Sequence, residues 1–499
     1  ISFKMCGGRD PDVRLAPNYI QTEKGEAQRF EFWIHTNAPT TAIQIAPQGD
    51  LWRWNHTWPV SRITLEQVNP TTLDPSAPVT LELPVAKNGE VPLPFPLPTG
   101  NWFLGGYMNK PGEAEVTGSE GLPIKLSYQL DRWNRSLVYN SSFHIRSPLT
   151  RVHILTKDLF STVLLRHKAT RDISYELDGE FLTTTDPARP LSETLVLHGQ
   201  QLTGDLPRIP KLPFGKERAV LTSWDDGKQE DLRCAEILIK HGFRPTFMLN
   251  GNSPALKFID QLEALGAEIG SHGFSHTALN TQTPEAASAN VSSMRKILEQ
   301  RLGHPVIAFS YPNGYARALD EEGDYVYRAL KESGYWIART QLTRRQNIEG
   351  INEPLLMRSN GLWGSGNKTL VADWPKFLAE PNGIFYLKGH SWQIGKSDAE
   401  WQKFEDFIAQ FAGHPTAWYP SNNEFALWLW IQKNMTLTAT SNSADKTVVQ
   451  LKRPWLHPWL AERCPISLEL PAGVTAVTWQ GRRIAAESGR VELTWTNGK

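Results

Sequence analysis

The stretch Ala219-Val-Leu-Thr-Ser-Trp224-Asp225-Asp226-Gly227, read with Glu268-Ile-Gly-Ser271-His272-Gly-Phe-Ser-His276, decides how this 499-residue chain folds. Residues 219–224 form a short apolar run of the kind a buried strand requires, and two carboxylates stand where it ends. Residues 268–271 read as a second buried strand, with His272 at its end and His276 four residues on. Asp-Asp-Gly alone is an ordinary turn sequence, and a His pair alone is an ordinary surface feature. At the ends of two strands they become three candidate metal ligands, Asp226, His272 and His276, with Asp225 beside them. Three protein ligands leave a position open for water, the count of a catalytic site rather than a closed structural one. Asp225 then stands where a base would take a proton from that water.

Further strand-like runs follow the same rhythm. They fall at 219–224, 245–250, 268–271, 306–311, 335–340, 355–358 and 383–388. Between them lie amphipathic stretches, such as 231–241, with Leu232, Ala235, Leu238 and Ile239 at helical spacing, and 284–302, which opens with Pro and Glu. Seven βα units predict an α/β, distorted (β/α)7 barrel over 213–433, built with right-handed crossovers. In such barrels the C-terminal strand ends carry the chemistry.

Residues 1–212 instead alternate as strands do, for example in Arg29-Phe-Glu-Phe-Trp-Ile34, Val79-Thr-Leu-Glu-Leu83 and Arg151-Val-His-Ile-Leu155. An all-β, sandwich-like N-terminal region of one or two domains is expected there, closed by the Pro-rich connector 206–213. Residues 434–499 return to short strands and predict a small C-terminal β-domain, too small to be stable without packing on the barrel.

Composition narrows the function. The 52 basic and 52 acidic residues cancel, which gives no electrostatic case for a nucleic acid or an anionic membrane. The densest apolar run, Phe425-Ala-Leu-Trp-Leu-Trp-Ile431, is far too short to span a bilayer. The three cysteines, Cys6, Cys234 and Cys464, have no metal spacing. The chain starts at Ile1, read as a processing boundary; a secreted, periplasmic or cell-surface location is the expectation. Asn-x-Ser/Thr sites stand at Asn55, Asn134, Asn140, Asn290, Asn367 and Asn434. The 19 Trp, with a cluster at Trp52, Trp54 and Trp58, are either core filler or flat platforms for sugar rings.

Two more strand ends add candidates. In Phe309-Ser-Tyr311-Pro312-Asn-Gly314, Pro312 fixes the turn, and the Tyr311 backbone N–H is expected to point into the site. In Phe385-Tyr-Leu387-Lys-Gly-His390-Ser-Trp392, His390 is expected to face the metal as a general acid, where an isolated His would be structural. Trp224, Trp363 and Trp392 join the candidate substrate-binding or supporting residues.

Over roughly 215–430 the chain resembles the polysaccharide deacetylase family, with its NodB-homology, carbohydrate esterase 4-like barrel. The motifs that carry the resemblance are Thr222-Ser-Trp-Asp225-Asp226-Gly, with Trp224 where Phe is usual, His272-Gly-Phe-Ser-His276, and Leu387 to His390 with one extra residue before the His. Residues 417–424 look like the end of that barrel in one branch of the family. The family's third motif has an Arg three residues before Tyr-Pro, and that position is Ala308 here. Arg358 is the candidate substitute for holding Asp225, and Asp373-Trp374 is a loose match to the fourth motif.

The resemblance implies a glycan substrate and one divalent metal held by Asp226, His272 and His276, zinc first, with cobalt or nickel suited to the same ligands. It implies base work by Asp225, oxyanion support by Tyr311 and acid work by His390. De-N-acetylation of an amino-sugar polymer or oligomer is the leading reading. An O-acetyl esterase on a glycan such as xylan uses the same residues, and a non-catalytic glycan-binding protein is the reading from another class.

Overall fold

The strand that carries the two carboxylates, Arg218–Asp225, is buried at all eight positions. A strand flanked by parallel neighbours and covered on both faces has no solvent side, so Ala219, Val220, Leu221 and Trp224 are buried on both of its faces and its polar residues must find partners inside. In the computed structural model it pairs in parallel with Thr246–Leu249 on one side and Gly383–Gly389 on the other. The parallel order continues from Thr246–Leu249 through Glu268–Ser271, Ala308–Ser310, Ile337–Thr343 and Met357–Ser359. The ring closes where Gly361–Leu362, directly after the sixth strand, pairs with Gly383–Gly389. Each window expected from the sequence therefore holds a barrel strand.

The structure describes residues 2–6, 13–15, 33–35, 42–46, 79–106, 112–128, 141–156, 162–168, 180–202 and 204–495. Trp52, Trp54 and Trp58 lie outside them, as do Asn55, Asn134 and Asn140.

The helices around the barrel follow from local signals. Helix Asp231–Lys240 buries Cys234, Ala235, Ile237 and Leu238 on one face and stops before Gly242, which sits at φ 80° where a side chain would be strained. Pro284 begins helix Pro284–Leu302, whose Ala287, Val291, Met294 and Leu298 share one buried face. Helices Asp398–Ala409 and Asn422–Asn434 each open with a capping box, Ser397 with Glu400 and Ser421 with Glu424.

The chain divides into two compact units. One comprises 175–278, 288–315 and 329–499 and contains the barrel. It also contains a five-stranded sheet in the order Thr436–Asn442, Lys446–Leu456, Thr185–Gly199, Val474–Trp479, Arg482–Ala485. Strand Thr185–Gly199, which precedes the Pro-rich connector, is thus paired on both edges by strands that follow the barrel. Leu195, Leu197, Val449, Leu451 and Trp479 of this sheet share one apolar cluster with Phe425, Trp428 and Ile431 of the last barrel helix.

The other unit comprises 1–174 together with 279–287 and 316–328. Its described residues are mainly antiparallel strands. Gly112–Gly118 pairs with Leu149–Ile154 and Ile124–Tyr128, and a second sheet is centred on Gly100–Gly106, Ser141–Ile145 and Thr162–Lys168. Trp102, Leu104 and Phe143 of the second sheet pack with Val116, Leu126 and Val152 of the first.

Candidate active site

Alternation along Arg218–Asp225 sorts its side chains. Ala219 and Leu221 belong to the barrel's apolar cluster, whereas Trp224 is fully buried against Phe404, ring centroids 5.3 Å apart and nearly perpendicular. The same period turns Ser223 and Asp225 inward with Leu221. Trp224 is therefore a structural prop on the outer face, the supporting rather than the substrate-binding one of the two roles open to it in the sequence. Its indole N–H donates to Thr222 Oγ1 at 3.0 Å.

Asp225 is buried in the barrel mouth and gripped by Arg339. The Arg339 Nη2 donates to Asp225 Oδ1 at 2.6 Å, and also to Oδ2. The same guanidinium donates to Ser223 Oγ at 2.9 Å and to Ser310 Oγ at 2.6 Å. Arg339 is 2% exposed, so this is a charge-assisted network removed from water. It sits on the fifth strand, in register with Ser310 of the fourth.

The duty expected of Arg358 thus falls to Arg339, one strand over from the Ala308 position. Arg358 is on the sixth strand, where its backbone N–H donates to Gln346 Oε1 at 2.7 Å. One signal in the sequence pointed to Arg339: a charged residue at an inward position of the run 335–340 must find a partner inside.

Burial alone would raise the Asp225 carboxyl. Arg339, with His272 and His390, overrides burial and holds it well below the usual carboxylate range. Lys388 lies in the same interior, and burial, helped by Arg339, pushes its amine down to about 7 against the pull of Asp225.

Asp226, His272 and His276 offer ligand atoms that all lie within 4.8 Å of one another. His276 Nε2 is 3.1 Å and His272 Nε2 is 3.8 Å from Asp226 Oδ1. The two rings are 4.9 Å apart. His272 Nδ1 sits 2.7 Å from the Ser310 carbonyl, which can only accept; Nδ1 carries the proton and Nε2 is left bare as a ligand. Burial lowers the His272 pKa, which favours the neutral ring a cation needs, whereas the Asp226 hydrogen bond raises that of His276. Burial pushes the Asp226 carboxyl up, but His276 and its neighbours hold it down to about 2. The bare His272 nitrogen, the His276 ring and the ionised Asp226 carboxylate, converging from two loops, fit a divalent cation that takes mixed N and O ligands and displaces the proton His276 shares with Asp226.

The His-x-x-x-His spacing is not helical here. His272 follows a strand and His276 sits in the loop at φ 53°. Asn290, fully buried on helix Pro284–Leu302, shapes that loop. Its Oδ1 accepts from the Phe274 and Ser275 amides at 2.6 and 3.1 Å, and its Nδ2 donates to Ser275 Oγ at 2.9 Å. A residue so enclosed is no glycan acceptor in the folded chain, although it heads an Asn-x-Ser site.

The expectations at the fourth and seventh strands part ways. The Tyr311 backbone N–H donates to the Arg339 carbonyl at 3.1 Å, because pairing of the fourth strand with the fifth runs one residue past Ser310. That amide is spent in the ladder and does not face the site as an oxyanion donor. Pro312 is buried behind the histidine loop; a side chain at Gly273 would meet its Cγ at 3.2 Å. His390 does reach the site, with Nε2 at 3.9 Å from Asp226 Oδ2 and Nδ1 at 3.2 Å from Gln393 Oε1. Gln393, in the short helix Ser391–Gln393, was not singled out from the sequence.

Trp392 is at the site too, its indole N–H donating to Asp226 Oδ2 at 3.1 Å. Trp363 is not. It packs 5.0 Å from both Phe404 and Phe407 in the outer layer. Asp373 pairs with Lys376 on its own helix, and Trp374 stacks on Phe377 and meets Phe385 and Phe411, so this pair supplies no fourth motif.

A parallel barrel that gathers an ionised buried carboxylate and an Asp-His-His donor set at its C-terminal strand ends is an arrangement suited to metal-assisted hydrolysis. Residues 214–335 match the family model described as Polysaccharide deacetylase, and that segment is a polysaccharide deacetylase domain. The match spans Asp225, Asp226, His272, His276 and Tyr311 and ends before Arg339 and His390. Comparison with curated protein sequences finds no match.

Among solved structures, a protein assigned as a polysaccharide deacetylase from Mycobacterium smegmatis is similar, at 16% identity and a TM-score of 0.36, over 48% of this chain and 99% of that one. A family 4 acetyl xylan esterase from Clostridium thermocellum, in complex with a cobalt ion, is 15% identical at a TM-score of 0.29, over 41% and 87%. A family 4 carbohydrate esterase from Streptomyces lividans, in complex with acetate, is 14% identical at 0.28, over 40% and 88%.

Proposed function

We propose that this protein hydrolyses N-acetyl groups of an amino-sugar polysaccharide or oligosaccharide, releasing acetate and a free amine. The observation that supports the reading best is the pairing of Asp225, kept ionised by Arg339, with the adjacent donor set of Asp226, His272 and His276. A divalent cation on those three residues, zinc in this proposal, would polarise the acetyl carbonyl and make its water acidic near neutral pH.

The chain's own residues do the rest. Asp225 accepts the proton of the attacking water, and its oxygens are aimed for this by Arg339 and the serines around it. Water adds to the acetyl carbon, and the C–N bond breaks towards the sugar nitrogen. His390 Nε2, held at the mouth by the Nδ1 contact to Gln393, hands that nitrogen a proton as it leaves. An amine is too basic to depart unprotonated, so an acid facing the base favours amide over ester cleavage. With the Tyr311 amide engaged in the sheet, the developing oxyanion is not served by that group.

The test is acetate release, with mass-spectrometric loss of acetyl groups, from N-acetylglucosamine oligomers and from acetylated xylan side by side. Release from the amide substrate that vanishes in Asp225→Asn supports the reading. Release from xylan alone makes the protein an O-acetyl esterase. Glycan binding without turnover on either leaves a binding protein.

A further inference from the structure

Trp392 lies in the turn His390–Gln393 that follows the last barrel strand, and three contacts fix this turn. His390 Nδ1 meets Gln393 Oε1 at 3.2 Å. Ser391 Oγ donates to Asp231 Oδ1 at 2.5 Å, with both side chains fully buried. The Trp392 indole N–H donates to Asp226 Oδ2 at 3.1 Å. Just before the turn, Gly389 lies so close to Trp224 that an added Cβ would sit 2.3 Å from the ring, so the strand end cannot shift that way.

Asp226 is held from the other side as well. Its amide donates to the Met248 carbonyl at 3.1 Å and its carbonyl accepts from Ser253 Oγ at 2.7 Å. It is a non-glycine residue at φ 80°, a conformation kept only because the surroundings impose it. With the backbone fixed, the remaining freedom is rotation of the carboxylate. Its two oxygens have different partners: Oδ1 faces His272 and His276, and Oδ2 takes the indole N–H.

We propose that Trp392 is a positioning residue, whose N–H occupies Asp226 Oδ2 so that Oδ1 alone is offered beside the two imidazoles. The inference rests on reading Asp226, His272 and His276 as a cation site. The same indole is 40% exposed and its ring lies 5.5 Å from that of His390. This exposed ring adjoins the proposed acid and is suited to stacking on the apolar face of a pyranose. One side chain thereby links a sugar platform to the orientation of a ligand.

The experiment uses the full chain, freed of metal and titrated with Co2+ alone. Trp392→Phe keeps an aromatic face and removes the N–H, and at an exposed position it leaves the thermal unfolding midpoint unchanged. Loss of such an outer hydrogen bond weakens cation affinity by about 10- to 100-fold. The visible Co2+ absorption also falls, because a released carboxylate binds through both oxygens and raises the coordination number. In a separate titration with an N-acetylglucosamine oligomer, Trp392→Phe binds as the parent does and Trp392→Ala binds more weakly. Parental Co2+ affinity and spectrum in Trp392→Phe overturn the proposal while leaving the site reading intact. Failure of the unaltered chain to bind Co2+, matching His272→Ala, overturns the site reading and this inference with it.

Discussion

The barrel buries carboxylates at both of its ends, and the two ends leave them in opposite states. At the C-terminal strand ends, Asp225 is enclosed and held ionised. At the other end, Glu268 opens the third strand and Glu424 sits in the first turn of helix Asn422–Asn434, and both are pushed up, Glu424 to about 7. Burial acts in the same direction on all three. The neighbours decide the outcome: at the mouth one guanidinium serves Asp225 and is itself oriented by Ser223 and Ser310. At the base two carboxylates repel each other, and Arg244, paired with Glu424, and Arg463 pull on both without overcoming burial. The base role proposed for Asp225 requires a carboxylate free of its proton, whereas a carboxyl that caps a helix can keep one.

That contrast can be broken from either side. The largest effect is expected at the mouth: Asp225→Asn should lower acetate release by about 10²- to 10⁴-fold while leaving Co2+ or Zn2+ uptake intact. His272→Ala should abolish both, as should a chelator on the unaltered chain, with activity returning when a divalent cation is added back; activity that survives metal removal would sink the metal-assisted reading.

Arg339→Met comes next. It strands a buried carboxylate, so urea unfolding should show a loss of about 3–5 kcal/mol, with turnover falling as Asp225 gains a proton. Arg339→Lys should not restore it, because one ammonium cannot reproduce the fork that reaches Asp225 and two serines. Trp224→Ala tests whether that motif residue is only a prop. A loss of about 3–5 kcal/mol in stability, with unchanged KM in whatever protein remains folded, is the expected outcome.

The smallest effect lies at the base. Glu424 is raised from an ordinary carboxylate value of 4.5 to about 7, so the folded chain keeps a proton that the unfolded chain gives up. Its stabilising contribution is therefore complete below about 4.5 and is lost as pH rises through about 7. Glu424→Gln retains the cap and should flatten that decline by on the order of 1 kcal/mol, read from unfolding midpoints across the range. Asp225, with its depressed value, contributes in the opposite sense, losing its share only in strong acid.

The comparison also shows which parts of the site are legible in a sequence. Asp225, Asp226, His272 and His276 lie within one residue to a few of their strand ends, and a local pattern places them. Trp224 was legible as well, by parity: if Asp225 faces inward, its neighbour faces out. Arg339 was harder. It reaches Asp225 across the barrel, 114 positions away in sequence, and only an unpartnered charge on an inward strand position hinted at it. The direction of the Tyr311 amide depends on how far two strands stay paired, which no residue type specifies. Asn290 and Gln393 were invisible for a similar reason, since amide side chains that brace a loop have no distinctive spacing.

The unit that includes residues 1–174 also claims 279–287 and 316–328, the segments that follow the third and fourth barrel strands. Strand Ala318–Asp320 lies parallel to Ser141–Ile145 inside that unit's sheet, and Asn101 Nδ2 donates to the Gln282 carbonyl at 2.6 Å. The polypeptide therefore leaves and re-enters this unit twice after residue 174. A protease or a stop codon that separates the first 174 residues from the rest would cut through a hydrogen-bonded sheet, not a tether. A chain shortened by its first 174 residues would carry two orphaned segments, 279–287 and 316–328, which follow His276 and Tyr311 in sequence.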